Sequence, residues 1–375
     1  MDLSVFFEPV SDEAATLRKG GAFGNVIPAF EQHFPDWKTA EVVLVGTGGS
    51  QQASVLADAV RCQLYPFTAL GKMGQVVDLG NFRSKETPDQ YYDALGYVIG
   101  KLLEENKKVV ILSDQPEAAF GAYLGRLEIP EEVTYAHIGP RFALGEPELE
   151  PEAVTFNKRV LTYEPERLAR FFTLGYQRYF VESQVLETLS ELNLQAVRYG
   201  ELYQQLPEAE PYLRQADMGC FELSAIRQGD MAGSLFPSPG GFDAIEACQL
   251  ARYAGLAPKL DCFVMAGYDP SADPINAGAR QVAVMTWYLI EGMLLRKPIP
   301  PVASMRKYSV KVHSTVDEVV FYEDTATQRW WMEVPFSQDL GRQRPRTHLV
   351  ACSEQDYHTT RKDELPQRWW QAFES

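Results

Sequence analysis

The hydrophobic and polar positions form two kinds of segment that alternate along most of the chain. Short runs such as EVVLVG (41–46), KVVILS (108–113) and LDCFVMAG (260–267) are almost continuously apolar. Such runs are typical of strands that are buried on both faces. Stretches with helical spacing lie between them, so the pattern predicts a mainly parallel sheet covered by helices on both faces, a three-layer α/β/α fold.

One helical stretch, ETPDQYYDALGYVIGKLLEENKK, shows both a start signal and a buried stripe. Thr87 is the predicted N-cap, Pro88 lies in the first turn, and Gln90 closes a capping box. Four apolar residues then recur on one face: Tyr91, Leu95, Val98 and Leu102. Further along, the pattern predicts a strand at VLTY (160–163) and a helix that begins at Glu164.

The character of the chain changes after the proline-rich segment RKPIPPVAS (296–304). The sequence predicts one α/β domain over residues 1–300 and a C-terminal appendage over 301–375, built from a β-hairpin and a short helix. Arg-Trp-Trp occurs twice in the appendage, at 329–331 and 368–370. These tryptophans are expected to pack the appendage onto the main domain. The alternative is an exposed patch for a protein partner or for a homo-oligomer.

Composition excludes several classes of function. The chain of 375 residues carries 51 acidic and 35 basic residues, a net charge of -16, which opposes binding to nucleic acid or to anionic membranes. The N-terminal segment lacks the features of a signal peptide, and no apolar run is long enough to span a bilayer. The five cysteines are widely spaced, which is typical of reduced thiols, so we expect a cytoplasmic protein.

One histidine stands where a metal ligand could be expected, but its neighbours cannot help it. His137 lies in TYAHIGPRFALGE (134–146), and residues two positions away share its strand face. Those residues are Tyr135 and Gly139. Neither offers the carboxylate that a hard cation prefers.

Four segments in chain order resemble the ureohydrolases, the family of arginases, agmatinases and formimidoylglutamases. FPSPGGF (236–242) is similar to the P-x-P-G-G loop that follows the D-x-D-x-x-D strand of that family. AGYDPSADPINAGARQ (266–281) resembles its E-x-N-P-x-x-D stretch, LSDQP (112–116) the place of its G-G-D-H-S turn, and YAHIGPR (135–141) its D-A-H-x-D-x-R motif. The similarity covers about residues 40–295. Within the family, these segments resemble a divergent Bacteroidetes-type formimidoylglutamase-like branch.

The resemblance implies an arginase/deacetylase-like fold and, in active members, two manganese ions that activate a bridging water. Two histidines and four aspartates hold these ions in the family. When these six ligand positions are carried over to this sequence, four of them are occupied by residues that do not keep the ligand: Pro116, Tyr135, Gly139 and Ser224. His137 and Glu222 alone keep a residue that could ligate, and the family's substrate-orienting glutamate falls on Gly267. Two ligands cannot offset the charge of two dications.

The leading hypothesis is therefore a pseudoenzyme that has no dinuclear manganese site and serves in binding or assembly. It is expected to need no cofactor. The alternative is an active C–N hydrolase that acts on a linear amidine, such as formimidoylglutamate or agmatine, with manganese in a rebuilt site. A mononuclear metal held by His137 and Glu222 is a further alternative.

Two other features are candidate ligand sites. Arg227 and Asp230, in SAIRQGD (224–230), could bind a small zwitterion or a carboxylate at the end of a strand, or could form a salt bridge that fixes the loop. The glycine-rich stretch VGTGGSQQ (45–52) could cradle a phosphate but lacks a full nucleotide motif, so a tight turn is the simpler interpretation.

Overall fold

The computed structural model describes most of the chain, and the following statements concern these residues only. They are residues 2–18, 20–48, 54–69, 71–83, 88–145, 155–182, 185–187, 189, 194–313, 316–337 and 346–374. Three sequence features lie outside them: the acidic segment EPELEPE (146–152), which the sequence predicts to be a solvated loop, the predicted N-cap Thr87, and residues 49–52 of the glycine-rich stretch. By its internal contacts the chain divides into two units, Met1–Ser183 with Ala196–Arg296, and Gln184–Gln195 with Lys297–Ser375.

The first unit is built on a nine-stranded sheet, counted over the described residues, with the order β1-β3-β2-β4-β9-β8-β5-β6-β7. The strands between β3 and β6 in this order pair in parallel, and β1 is antiparallel to β3. Their bounds are β1 Phe7–Glu8, β2 Val42–Thr47, β3 Val76–Phe82, β4 Lys108–Ser113, β5 Val133–Ile138, β6 Leu168–Tyr176, β7 Gln195–Arg198, β8 Met218–Glu222 and β9 Cys262–Ala266.

The helices of this unit are α1 Asp12–Thr16, α2 Phe23–Val26, α3 Val55–Leu64, α4 Pro88–Glu104, α5 Ala118–Leu127, α6 Phe156–Leu161, α7 Tyr199–Gln204, α8 Glu210–Gln215, α9 Ala244–Gly255 and α10 Ala277–Leu295. Helices α4 and α5 pack together over β4, β8 and β9, while α3, α9 and α10 form the layer on the opposite face. The predicted three-layer α/β/α fold is thus confirmed.

Buried residues explain why these segments form these elements. Every residue of β2, β4, β8 and β9 is buried, as expected for central strands covered on both faces. The predicted stripe of α4 is likewise buried, from Tyr91 to Leu102. Helix α9 begins with a capping box, in which Asp243 and Glu246 exchange hydrogen bonds with each other's backbone N–H groups, and this fixes where the chain turns from loop to helix.

Two predicted elements near residue 165 are wrong. VLTY (160–163) was expected to be a strand, but its first residues end helix α6, and the helix expected from Glu164 is replaced by strand β6. The aromatic residues Phe171 and Phe172 favour a strand, and β6 pairs with β5 from Leu168 to Leu174, so tertiary pairing prevails over the local helical pattern.

The second unit contains an antiparallel sheet of four strands within the described residues, in the order β10-β11-β12-β13. The strands are β10 Arg306–Lys311, β11 Glu318–Asp324, β12 Arg329–Pro335 and β13 Thr347–Cys352, followed by helices α11 Glu354–Thr360 and α12 Gln367–Glu374. The predicted hairpin and single helix therefore underestimated this unit. The sequence pattern does not predict β10 and β13 as separate strands.

Two of the four appendage tryptophans lie in the core of this second unit. Trp330 stacks between Tyr308 and Tyr357, with ring centroids 5.1 Å apart in each pair, and Trp369 is fully buried in the same hydrophobic cluster. The expectation that these tryptophans cover the main domain is therefore wrong for this pair. They give the appendage a core of its own.

Candidate functional site

The candidate site lies at the carboxyl ends of the neighbouring strands β5 and β8. Ligand sites of parallel α/β sheets form at this edge, where loops leave the strands. His137 lies on β5 and Glu222 is the last residue of β8, so pairing of the two strands brings them together. Ser224 follows in a short 3-10 turn, Leu223–Ala225.

The three side chains form one hydrogen-bonded series. Glu222 Oε2 lies 3.0 Å from His137 Nε2, and Ser224 Oγ donates to Glu222 Oε1 at 2.9 Å. All three residues are buried. The contact engages His137 Nε2 and Glu222 Oε2 with each other, so these two candidate ligand atoms already have a partner within the protein.

Gly139 explains why the imidazole can take this position. A Cβ atom added to Gly139 would lie 2.4 Å from His137 Cε1 and 2.9 Å from Glu222 Oε2. Such separations are far inside van der Waals contact. The space that a side chain at position 139 would need, including the family's aspartate, is filled by the ring of His137.

The remaining ligand positions offer no substitute donors. Tyr135 is fully buried, and burial raises the pKa of its hydroxyl well above the ordinary value, so the phenol stays neutral. Cys220, on the neighbouring strand, also has a strongly raised pKa because of burial. Pro116 has no donor atom, and its ring lies 3.7 Å from a Cβ added to Gly267.

These residues do not fit the dinuclear manganese centre that the fold family implies. Such a centre needs several ionised oxygen donors around two hard cations. The six ligand positions supply one carboxylate, that of Glu222, and it is already bonded to an imidazole and a hydroxyl. Across the described residues, no group of three His, Cys, Asp or Glu side chains is arranged to hold a metal ion.

A cavity of about 270 Å³ opens beside the series. Glu222 and Ser224 form part of its wall, and Arg141 forms another part. The Arg141 guanidinium packs over the ring of Phe180, 4.5 Å from its centroid, and lies 5.6 Å from that of Phe236. The cavity is completed by Pro140, Leu235 and Pro237. It thus combines a carboxylate, a hydroxyl and a guanidinium with apolar walls.

The local sequence pattern gives Arg141 no role. The residue was visible as the last letter of YAHIGPR, directly after the strand that carries His137, but nothing local showed which segments would face it. The cavity is formed by four separate stretches of the chain, around residues 140, 180, 223 and 236, and only the tertiary structure brings them together.

Arg227 and Asp230 do not line this cavity. Arg227 Nε donates to Asp230 Oδ2 at 2.7 Å, and the same oxygen accepts a hydrogen bond from Ala244 N at the start of α9. The arginine is half exposed. This geometry is that of a salt bridge that fixes the loop to the helix.

The glycine-rich stretch leads to a helix start that is already occupied. Asp114, at the end of β4, accepts hydrogen bonds from Val55 N at 3.0 Å and Leu56 N at 2.7 Å, and from the N-cap Ser54 at 3.1 Å. A phosphate at the N-terminus of α3 would need these N–H groups. The carboxylate of Asp114 takes its place.

Known structures share this fold. A formiminoglutamase from Trypanosoma cruzi, solved with Mn2+, superposes with a TM-score of 0.64 at 14% identity, over 74% of this chain and 99% of that one. The formimidoylglutamase from Bacillus subtilis gives 0.62 at 14% identity, over 74% and 94%. The agmatine ureohydrolase of Thermoplasma volcanium gives 0.59 at 12% identity, over 75% and 97%.

These similarities confirm the fold that the sequence motifs implied, and at such low identity they establish the fold alone. No protein-family model and no curated protein matches the chain. Among the described residues, no helix has the length and apolarity needed to cross a membrane.

Proposed function

We propose that this chain, which has the ureohydrolase fold, is a pseudoenzyme that binds a small zwitterion in the cavity at the carboxyl ends of β5 and β8. The observation that carries the proposal is the hydrogen bond between His137 and Glu222. The two residues that could still ligate a metal are bonded to each other, and the ring of His137 fills the space beside Gly139.

The charges of the cavity support a ligand with two opposite charges. The carboxylate of Glu222 is 4% exposed, so a cationic group beside it would be largely desolvated and strongly attracted. Arg141 supplies a planar guanidinium suited to a carboxylate. The apolar walls from Phe180, Leu235 and Phe236 fit a short aliphatic stem between the two ends.

A matched set of three small molecules tests this proposal by calorimetric titration: 4-aminobutyrate, butyrate and butylamine. The zwitterion should bind more tightly than either singly charged compound. Glu222→Gln should weaken the binding of 4-aminobutyrate and butylamine, and Arg141→Ala should weaken the binding of 4-aminobutyrate and butyrate. Arg227→Ala, outside the cavity, is the control and should leave the affinities for all three compounds unchanged.

Equal affinities for the three compounds, or loss of binding in Arg227→Ala alone, would contradict the proposal. The alternative, an active amidine hydrolase, is tested on the same preparation by incubating manganese-loaded protein with formimidoylglutamate and with agmatine. Release of ammonia, formamide or urea at enzymatic rates would replace the pseudoenzyme by that alternative.

A further inference from the structure

The cavity wall holds a serine that is hydrogen-bonded to a carboxylate, and the carboxylate is oriented by an imidazole. Ser224 Oγ lies 2.9 Å from Glu222 Oε1, and Glu222 Oε2 lies 3.0 Å from His137 Nε2. This order differs from that of serine hydrolases, in which the imidazole lies next to the hydroxyl. It nevertheless contains the parts of an activated nucleophile: a hydroxyl, a base within hydrogen-bond reach, and a third group that orients the base.

The surrounding structure holds these three groups in place. Ser224, Glu222 and His137 are 2%, 4% and 0% exposed. The ring of Phe156 packs edge-on against the imidazole at 5.5 Å. The turn that carries Ser224 is closed by a hydrogen bond from Ile226 N to Leu223 O. A fixed, desolvated carboxylate is a stronger hydrogen-bond partner for a hydroxyl than one in water.

The same cavity offers what an acyl donor would need. Its volume of about 270 Å³ admits a small ester, and the side chains of Phe180, Leu235 and Phe236 line the space for an apolar acyl group. Arg141 is a cation on the same wall, suited to the negative charge that develops on a carbonyl oxygen during acyl transfer.

We propose that Ser224 is a reactive serine that accepts a small acyl group from an activated ester. The Oγ atom attacks the carbonyl carbon while its proton passes to Glu222, and a C–Oγ bond forms. The bond between that carbon and the alcohol oxygen then breaks, and the leaving group takes the electron pair and the proton from Glu222. Glu222 is the base, and His137 is a positioning residue that acts through it.

This inference uses the cavity of the proposed function and concerns one acyl transfer to the chain, without turnover, so it is compatible with a non-catalytic role. The two can fail separately. Acylation requires only that a small ester enters the cavity, whereas zwitterion binding requires two opposite charges on the ligand.

The test is incubation of the full chain with p-nitrophenyl acetate, with nitrophenol release followed by absorbance and the acetylated residue located by peptide mass spectrometry. The expected result is a burst of about one nitrophenol per chain and a single acetyl group on Ser224. Ser224→Ala should abolish the burst. Ser238→Ala is the matched control, because its hydroxyl contacts Tyr179 rather than a carboxylate, and it should react like the parent.

Two further variants separate chemistry from folding. Glu222→Gln keeps the shape and should slow acetylation by about 100-fold. His137→Gln keeps an N–H donor towards Glu222, whereas His137→Phe keeps only a ring, so the first should retain more reactivity than the second. If Ser224→Ala does not fold, the peptide map of the parent protein still shows whether Ser224 carries the acetyl group. Acetylation confined to lysine or tyrosine residues, or a Glu222→Gln variant that reacts at the parent rate, would overturn the proposal.

Discussion

Replacing Gly139 by alanine tests the packing of the His137–Glu222 pair directly. The added methyl carbon would lie 2.4 Å from His137 Cε1 and 2.5 Å from Nε2, about 1 Å closer than van der Waals contact allows. The imidazole cannot easily move away, because Glu222 and Phe156 hold it on two sides. Overpacking of this kind costs about 1–3 kcal/mol, so the free energy of unfolding should fall by that amount.

Urea denaturation of the parent protein and of Gly139→Ala, followed by tryptophan fluorescence, measures this loss of unfolding free energy. Gly200→Ala is the matched control, because no atom lies within 4 Å of a Cβ added to Gly200 and the residue lies in helix α7. Alanine should stabilise that helix by up to about 1 kcal/mol. Gly139→Asp should be at least as destabilised as Gly139→Ala, since it adds a carboxylate beside Glu222. A Gly139→Ala variant as stable as the parent would refute the position assigned to the imidazole.

Three further predictions concern stability away from the site. Burial raises the pKa of Asp261 from 3.8 to about 7, so the folded state disfavours its ionised form. The protonated Asp261 therefore contributes to the free energy of unfolding at low pH, and this contribution is lost as the pH rises from about 4 through 7. Asp261→Asn should therefore flatten the fall in unfolding free energy between pH 4 and 8 by up to about 4 kcal/mol, and an unchanged pH profile would contradict this. Arg61 forms a fully buried bidentate pair with Asp78, at 2.9 Å in both contacts. Arg61→Met should cost about 3–5 kcal/mol in denaturant titrations, whereas a loss below about 1 kcal/mol would mean that the pair is not desolvated. Trp330→Ala should destabilise the appendage by about 3–5 kcal/mol, and Trp370→Ala, at a side chain that is 36% exposed, should cost much less. Equal melting profiles for the two tryptophan variants would argue against the core described for this unit.

The parts of the fold that follow from local pattern were predicted correctly. Central strands such as β4 and β9 are almost continuously apolar because both of their faces are covered. Such a run can be recognised in the sequence without knowing which strands it pairs with. Strand β6 lacks that signal. Its segment follows a charged stretch with helical spacing, and pairing with β5 decides its conformation. The number of strands in the appendage was also underestimated. Strand β10 is short and mostly exposed, and its conformation depends on its pairing with β11.

The candidate site divides in the same way. That His137 and Glu222 stand without the carboxylates of a metal centre follows from the residue types alone. Their hydrogen bond to each other depends on the pairing of β5 with β8, which no local pattern gives. Arg227 and Asp230 are close in sequence, so their salt bridge was foreseeable, but the third member, Ala244 N, is brought in by the fold. Arg141 could be recognised only when the segments around the cavity were assembled.

The manganese content of the purified chain tests the central claim most directly. The protein would be equilibrated with excess manganese, passed through a desalting column, and analysed for metal and protein in the same fractions. Glu222 is bonded to His137 and Ser224, and the ring of His137 fills the space beside Gly139. We therefore expect well under one manganese ion per chain, with no rise in melting temperature. Two manganese ions per chain, retained through the column, would contradict the account.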